Sequence, residues 1–366
     1  MSTITQQPIY DPSKTYDDNF NNGPFGEFAG PVPFHNSGRP MFTFLGTPMY
    51  SPFGIPAGPL LNAKYVTSAL YKGFDIVTYK TQRSTPFSVN AFPNVLYIDG
   101  DGDLTLDVAS RPVLGTTTPK TTDPTKFTIT NSFAVPSLGP DFWVPDFKKT
   151  LAATARGQMV IMSVQGTIQP GFSNEDYYED FAITTRLAAK AGARAIEVNL
   201  SCPNVASEGV ICYNIEAVTQ ITSRAKKAAG PTPLLVKIGY YTPQQQDLLE
   251  NIVGAIAPYV DGICSINTIA APVVNEQGEQ ALPGPNRLRS GLCGAGIKWA
   301  GLDMVHRLAK LRTKLGLRYE IIGVGGVMTP ADYHQYIEAG ADVVQSATGA
   351  MWNPDLAIDI KSTFKK

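Results

Sequence analysis

The sequence is short of the features that mark nucleic-acid-binding, membrane-spanning or disulfide-stabilised proteins. Basic and acidic residues nearly cancel, 30 Lys+Arg against 31 Asp+Glu, for a net charge of −1. There is no Lys/Arg run, so neither a polyanion nor an anionic lipid surface finds an electrostatic footprint. Nucleic-acid and membrane partners are therefore not expected. No stretch approaches the roughly 20 apolar residues of a membrane helix. The start, Met1 to Gln7, lacks the charged-then-apolar pattern of a signal peptide. Four cysteines (Cys202, Cys212, Cys264, Cys293) show no Cys-x-x-Cys spacing. In a chain this long they do not read as a disulfide framework, and a reducing cytoplasm is the expected compartment. Three scattered histidines (His35, His306, His334) form no metal signature.

What is present is a globular composition, 43% hydrophobic and 17% charged over 366 residues, able to bury a sizeable core. Residues 1–50 are rich in Pro, Gly, Asn and aromatics and show no helical or alternating period. They read as an irregular N-terminal arm laid over the body, or partly disordered. From about residue 51, short apolar runs alternate with helix-period segments, as in βα units wound around a parallel sheet. The candidate strands are Gly54–Ala57, Asp75–Lys80, Phe127–Ser132, Met159–Val164, Ala195–Ser201, Leu234–Ile238, Gly262–Asn267, Glu320–Gly325 and Asp342–Ser346. Most are continuously apolar, as strands covered on both faces must be. Thr329-Pro330 reads as a helix start and Glu338-Ala-Gly340 as its stop; Ser173 starts another helix, with Gly192 after its end.

Nine strands are one too many for an eight-stranded barrel. The odd one, Phe127–Ser132, lies in a stretch at 83–150 dense in Thr, Pro, Asp and Gly. That stretch reads as an insertion after barrel strand two, lying near the barrel mouth. Its removal leaves one (β/α)8 TIM-barrel domain over residues 51–366, with a doubly wound open sheet as the alternative.

In such a barrel the chemistry gathers at the C-terminal ends of the strands. Lys80 ends Asp-Ile-Val-Thr-Tyr-Lys, and Lys237 sits in Leu-Leu-Val-Lys-Ile. A lysine there either meets an anionic or polar ligand or escapes to solvent; two on different strands favour a shared ligand. Asn131, Asn199, Asn204 and Asn267 stand at or just beyond strand ends. Their amides suit a flat ring with alternating C=O and N–H edges, or cap their own loops. Gly323-Val-Gly-Gly326 and the turn at Ala347-Thr348 follow the last two strands, where barrels recurrently bind phosphate, although tight turns want glycine in any case. Cys202 follows its strand in Asn199-Leu-Ser-Cys-Pro-Asn204. With no adjacent histidine it fits proton transfer better than covalent catalysis. Cys212, Cys264 and Cys293 read as buried small hydrophobes.

These residues together resemble the dihydroorotate dehydrogenase family, in its cysteine-bearing, FMN-dependent class 1 branch, over roughly residues 50–360. The most specific motif is Asn199-Leu-Ser-Cys-Pro-Asn-Val205. It is accompanied in the family's order by Lys80-Thr81, Asn131-Ser-Phe-Ala-Val-Pro136, Val236-Lys237, Ile266-Asn-Thr268, Ser290-Gly-Leu-Cys-Gly294 and Gly323-Val-Gly-Gly326. The resemblance implies FMN held by Ala57, Gly58, Lys80, Thr81, Asn199, Lys237, Gly294, Gly325, Gly326, Ala347 and Thr348. It implies a dihydropyrimidine substrate held by Lys80, Asn131, Asn199, Asn204, Asn267 and Thr268. Cys202 would take the C5 proton of (S)-dihydroorotate while hydride passes from C6 to flavin N5, and Lys237 would stabilise charge on the reduced flavin. A homodimer, alone or with an electron-transfer subunit, is also implied.

The chain departs from the family pattern in several places. The loop after Asn131 carries Ala-Val-Pro-Ser137 where the family often has Gly-Leu-Pro-Asn, and Ala347 stands in the last phosphate turn where glycine is usual. The arm and the insertion are larger than expected, and Arg287 and Arg289 lie where the family's loop runs toward the flavin. The rival readings are oxidation of another dihydropyrimidine such as dihydrouracil, which Asn204 disfavours, and a non-catalytic flavin-binding paralogue, which Cys202 and the two lysines disfavour.

Overall fold

A computed structural model describes residues 7–30, 32–100, 102–201 and 211–364. Its body is a closed barrel of eight parallel strands in sequence order: Phe53–Ile55, Ile76–Gln82, Met159–Val164, Ile196–Asn199, Leu234–Ile238, Gly262–Ser265, Glu320–Val324 and Val343–Gln345. They are called the first to eighth barrel strands below. Each is followed in chain order by a helix on the outside, ending with Leu356–Ser362. The fold is the expected (β/α)8 barrel, and the strands are continuously buried because helices cover one face and the barrel interior the other.

The helix boundaries follow their chemistry. Ser173 and Thr329 each close a capping box with an aspartate three residues on, Asp176 and Asp332, satisfying orphan N–H groups. Helix Pro330–Ala339 stops at Gly340, whose φ of +107° suits the left-handed cap.

Strand alternation divides the interior into layers. Ile76, Met159, Ile161, Ala195, Leu235, Cys264, Ile322 and Val343 fill the lower part with apolar groups. The base is closed by Phe44 and Met49 from a hairpin, Phe42–Phe44 paired with Thr47–Met49. Its Leu45-Gly46 turn has φ of +48° and +75°, which matches the twist of a two-residue hairpin. Above the apolar floor the inward positions turn polar: Thr78, Lys80, Ser163, Glu197, Asn199, Lys237 and Gln345 are all buried.

Three features differ from the sequence expectation. The described part of the arm carries regular elements, a helix Tyr16–Asn22 and the basal hairpin. The stretch 83–150 contains most of the helix Pro140–Ala153, which precedes the third barrel strand. Most notably, the small strands expected of the insertion, Thr128–Asn131 among them, belong to a second closed sheet of five strands that also draws on a later part of the chain. Tyr97–Asp99, Val113–Thr116 and Thr128–Asn131 come from the segment after the second barrel strand. Ile269–Val274 and Arg289–Gly294 come from a second excursion, after the sixth. Antiparallel pairing of Arg289–Gly294 with Thr128–Asn131 joins the two excursions.

Candidate active site

The polar layer of the barrel opens into two adjoining cavities. Ala57, Gly58, Asn131, Lys237, Asn267 and Thr268 line both. Lys80, Thr81 and Asn199 line the smaller one, and Ala347 and Thr348 the larger. Most of the residues singled out in the sequence are thus brought together from six barrel strand ends and the small sheet. Gly294, Gly325 and Gly326 are not among the lining residues, although Cys293 and Val324, which precede these turns in the chain, are. Gly326 has a φ of +65°, and a Cβ there would lie 2.8 Å from the backbone nitrogen of Lys298. Cys202 and Asn204 fall outside the described residues; Ser201, just before them, is buried.

Lys237 is set into the wall by a partner that the sequence reading missed. Its Nζ lies 3.3 Å from Glu197 Oε1, and both side chains are 5% exposed or less. Burial alone would depress the ammonium, but the Glu197 carboxylate raises its pKa above the ordinary lysine value. Ser163 Oγ donates to the same Oε1 at 2.8 Å, so it accepts from Thr81 Oγ1 at 2.9 Å. A hydrogen-bonded line therefore runs from Thr81 through Ser163 and Glu197 to Lys237. The signal was available: one acid in the apolar strand Ile196–Asn199 needs a partner, and strand pairing sets Lys237 beside Asn199, two residues from Glu197.

Lys80 is buried, with its Nζ 5.2 Å from the centre of the Phe133 ring and 6.0 Å from that of Tyr16. The arm thereby helps wall the mouth, and Tyr10 lines the larger cavity. The asparagines lock one another. Asn199 Nδ2 donates to Gln165 Oε1 at 3.2 Å, and its Oδ1 accepts from Ser201 N at 3.3 Å and Asn267 Nδ2 at 3.5 Å. Asn267 Nδ2 also donates to Ser201 O at 3.0 Å, fixing the start of the segment that carries Cys202.

The other cysteines are poor bases. Burial pushes the Cys212 thiol up to about 12 and the Cys293 thiol up to about 11. Cys264 is raised well above its ordinary value, first by burial and then by Glu197. Arg287 does not run toward the cavity; it is a buried strut donating to Ser132 Oγ, Ser132 O, Ala91 O and Pro93 O. Arg289 is exposed and holds Ala270 O at 2.7 Å.

The cavities have the features a flat polar ligand needs. Gly58 has a φ of +153°, and the place its Cβ would occupy is open, so the backbone offers a cradle that a side chain would fill. The hydroxyl oxygen of Thr268 is buried with no hydrogen-bond partner among the described residues, an arrangement that asks for a ligand. The larger cavity has apolar flanks in Val95, Ile129, Ile266 and Met351 beside the polar Lys237 and Asn267. Such a lining, apolar on its flanks with a few converging polar groups, suits a flat ring with polar edges. Among the described residues no helix is long and apolar enough to cross a membrane, and no acid, histidine and cysteine group could hold a metal ion.

The chain is similar to known proteins along its whole length. The dihydroorotate dehydrogenase family model matches residues 104–366. A dihydroorotate dehydrogenase of Dictyostelium discoideum is 38% identical over 369 aligned residues, covering 98% of each chain. The catalytic subunit of dihydroorotate dehydrogenase B (NAD(+)) from Alkaliphilus metalliredigens is 32% identical over 50% of this chain and 57% of its own. A dihydroorotate dehydrogenase A (fumarate) of Lactobacillus delbrueckii is 31% identical over 52% and 57%. In fold, the crystal structure of an Eimeria tenella dihydroorotate dehydrogenase in complex with ferulenol superposes with a TM-score of 0.68 at 18% identity, covering 90% of this chain and 85% of that one. The chain belongs to the dihydroorotate dehydrogenase family, oxidoreductases acting on the CH–CH group of dihydroorotate.

Proposed function

We propose that this chain oxidises (S)-dihydroorotate to orotate with FMN as its cofactor and Cys202 as its base. The observation that carries the reading is the convergence of Lys80, Asn131, Asn199, Lys237, Asn267 and Thr268 on two adjoining cavities at one barrel mouth. Ala57, Gly58, Lys237, Ala347 and Thr348 would hold the flavin, with the turns at Gly294 and Gly325-Gly326 shaping the wall behind it. Bound there, FMN supplies the acceptor for the hydride that leaves C6 of the substrate.

The protein's part is to orient the ring and move one proton. The amides of Asn131, Asn199 and Asn267, joined by Asn204, offer donors and acceptors to the C=O and N–H edges of a dihydropyrimidine. Lys80 supplies positive charge suited to a carboxylate. Lys237, kept charged by Glu197, supplies a fixed positive charge for the electron-rich product state. Cys202, presented on the segment that Asn199 and Asn267 anchor at Ser201, removes the C5 proton. Electrons then leave to an acceptor or partner subunit, and a homodimer with cytoplasmic residence fits this reading.

Purified Cys202→Ala provides the test. The variant should remain yellow, yet its flavin should be reduced by dihydroorotate at least 100-fold more slowly than in the parent, in line with the usual worth of a general base. Equal rates would exclude Cys202 as the base.

A further inference from the structure

Arg83 follows the second barrel strand and has no part in the chemistry above. It is 1% exposed. A guanidinium keeps its charge in a protein, so such burial demands hydrogen bonds in return. Nε donates to Val135 O at 2.9 Å and Nη2 to Ala134 O at 3.2 Å. Nη1 donates to Gly166 O at 2.9 Å and to Thr167 Oγ1 at 3.1 Å. The guanidinium lies over the Phe87 ring, 4.0 Å from its centre. Asp180, which accepts from the Thr167 N–H and the Ser84 hydroxyl, is a neighbouring acid.

The two carbonyls nearest the cavity belong to backbone that would not hold its shape unaided. Ala134 and Val135 have φ of +67° and +54°, in a region that L-residues avoid and that a β-branched side chain occupies only as an outlier. The Phe133 carbonyl is also held, by the Asn90 N–H at 3.3 Å. In a trans peptide the N–H points opposite to the C=O. With these carbonyls bound, the N–H groups of Ala134 and Val135 point away from Asn90 and Arg83, and Phe133, Ala134 and Val135 wall the smaller cavity together with Lys80. Arg83 sits at the carbonyl end of the Ala134–Val135 peptide, so the positive end of that dipole faces away from Arg83.

We propose that Arg83 is a positioning residue that sets the preference for an anionic dihydropyrimidine. It clamps the Ala134–Val135 backbone in the left-handed conformation, so that two N–H groups stand preformed beside Lys80 as the receptor for a ring carboxylate. The proposal rests on the dihydroorotate reading of the site. It also explains how the chain carries Ala134 at a position of positive φ: the clamp supplies the conformational restraint that glycine would otherwise make unnecessary.

The test uses the flavin-loaded full chain and compares Arg83→Lys with Arg83→Lys/Val135→Gly. A lysine cannot reproduce the fork that reaches four acceptors. Arg83→Lys should raise the KM for dihydroorotate and the Kd for orotate by about ten- to a hundredfold, as loss of charge-assisted hydrogen bonds implies. Its kcat should stay within about threefold, because no reacting atom is touched. Affinity for uracil, which has the ring without the carboxylate, should not change. The added Val135→Gly should restore part of the orotate affinity, since glycine adopts this φ without a clamp. Arg83→Gln serves the same comparison if the lysine variant does not fold. Unchanged orotate affinity, an equal loss for orotate and uracil, or no recovery with glycine overturns the proposal. A parent chain that binds no orotate overturns the dihydroorotate reading as well. A parent that oxidises dihydroorotate beside an Arg83→Lys variant of equal orotate affinity overturns this proposal alone.

Discussion

Replacing Glu197 by glutamine should show how far Lys237 depends on its partner. The substitution keeps the shape and one acceptor for Ser163 and Lys237, but it removes the carboxylate charge that lies against the ammonium, 3.3 Å away at under 6% exposure. Breaking a buried pair by removing one partner costs about 3–5 kcal/mol, because the remaining charge stays buried. The retained acceptor places this variant near about 3 kcal/mol. With an unfolding entropy of about 2.1 cal/mol/K per residue over 366 residues, the melting temperature should fall by about 4 °C. The pH dependence is more diagnostic. In the parent the Lys237 pKa is raised, so the pair's contribution is fully present below the ordinary lysine value of 10.5 and is lost only as pH rises through the higher folded value. In the variant burial dominates and the folded pKa drops below 10.5. The unfolded chain then binds more protons in that window, and the variant gains stability as pH rises through it. Thermal melts of the two proteins from pH 7 to 10 should therefore show a gap that narrows with pH. A gap under about 1 kcal/mol, or one that is constant across this range, would refute the reasoning.

Two further outcomes follow from buried groups elsewhere. At the base of the barrel Asp75 Oδ2 lies 2.9 Å from Lys361 Nζ, with side-chain exposures of 0% and 12%. Either single replacement, Asp75→Asn or Lys361→Met, should cost about 3–5 kcal/mol in urea unfolding, while the double variant should recover most of that loss. Burial raises the Asp75 pKa above 3.8 despite Lys361 and Ser51. The native state therefore holds this proton more tightly, and the group's contribution falls as pH rises from 3.8 through the folded value; Asp75→Asn should remove that slope. Gly326→Ala would place a Cβ 2.6 Å from Lys298 Cβ at a φ of +65°, a combined strain and clash of about 2–4 kcal/mol. The flavin-to-protein ratio after gel filtration should drop well below that of the parent, and an unchanged ratio would separate this turn from cofactor retention.

The barrel itself was legible because most of its strands are short apolar runs alternating with helix-period segments, some of them capped. Thr329, Pro330 and Gly340 bound their helix as their chemistry dictates. The second sheet was not legible, because its pairing is non-local: Gly291 meets Asn131 across 160 residues of chain, and Pro272 within Ile269–Val274 argues locally against a strand. The basal hairpin was hidden by strands of only three residues. The arm's helix had a readable start, Thr15 with Asp18 three residues on, lost among the surrounding glycines and prolines. At the site, lysines and asparagines stood out because they end apolar runs, and Lys80, Lys237, Asn131, Asn199 and Asn267 share one cavity wall. Glu197 was passed over because an acid inside a strand has meaning only with its cross-strand partner. Arg83 and Arg287 reach loop carbonyls such as Val135 O, Ser132 O and Ala91 O, 50 or more residues away, which no local pattern records.

Anaerobic rapid mixing of the purified, flavin-loaded chain with dihydroorotate tests the central claim most directly. The account predicts that the flavin absorbance bleaches with dihydroorotate, and far more slowly with an equal concentration of dihydrouracil. Flavin that stays oxidised with dihydroorotate while dithionite still reduces it, or that bleaches faster with dihydrouracil, would contradict it.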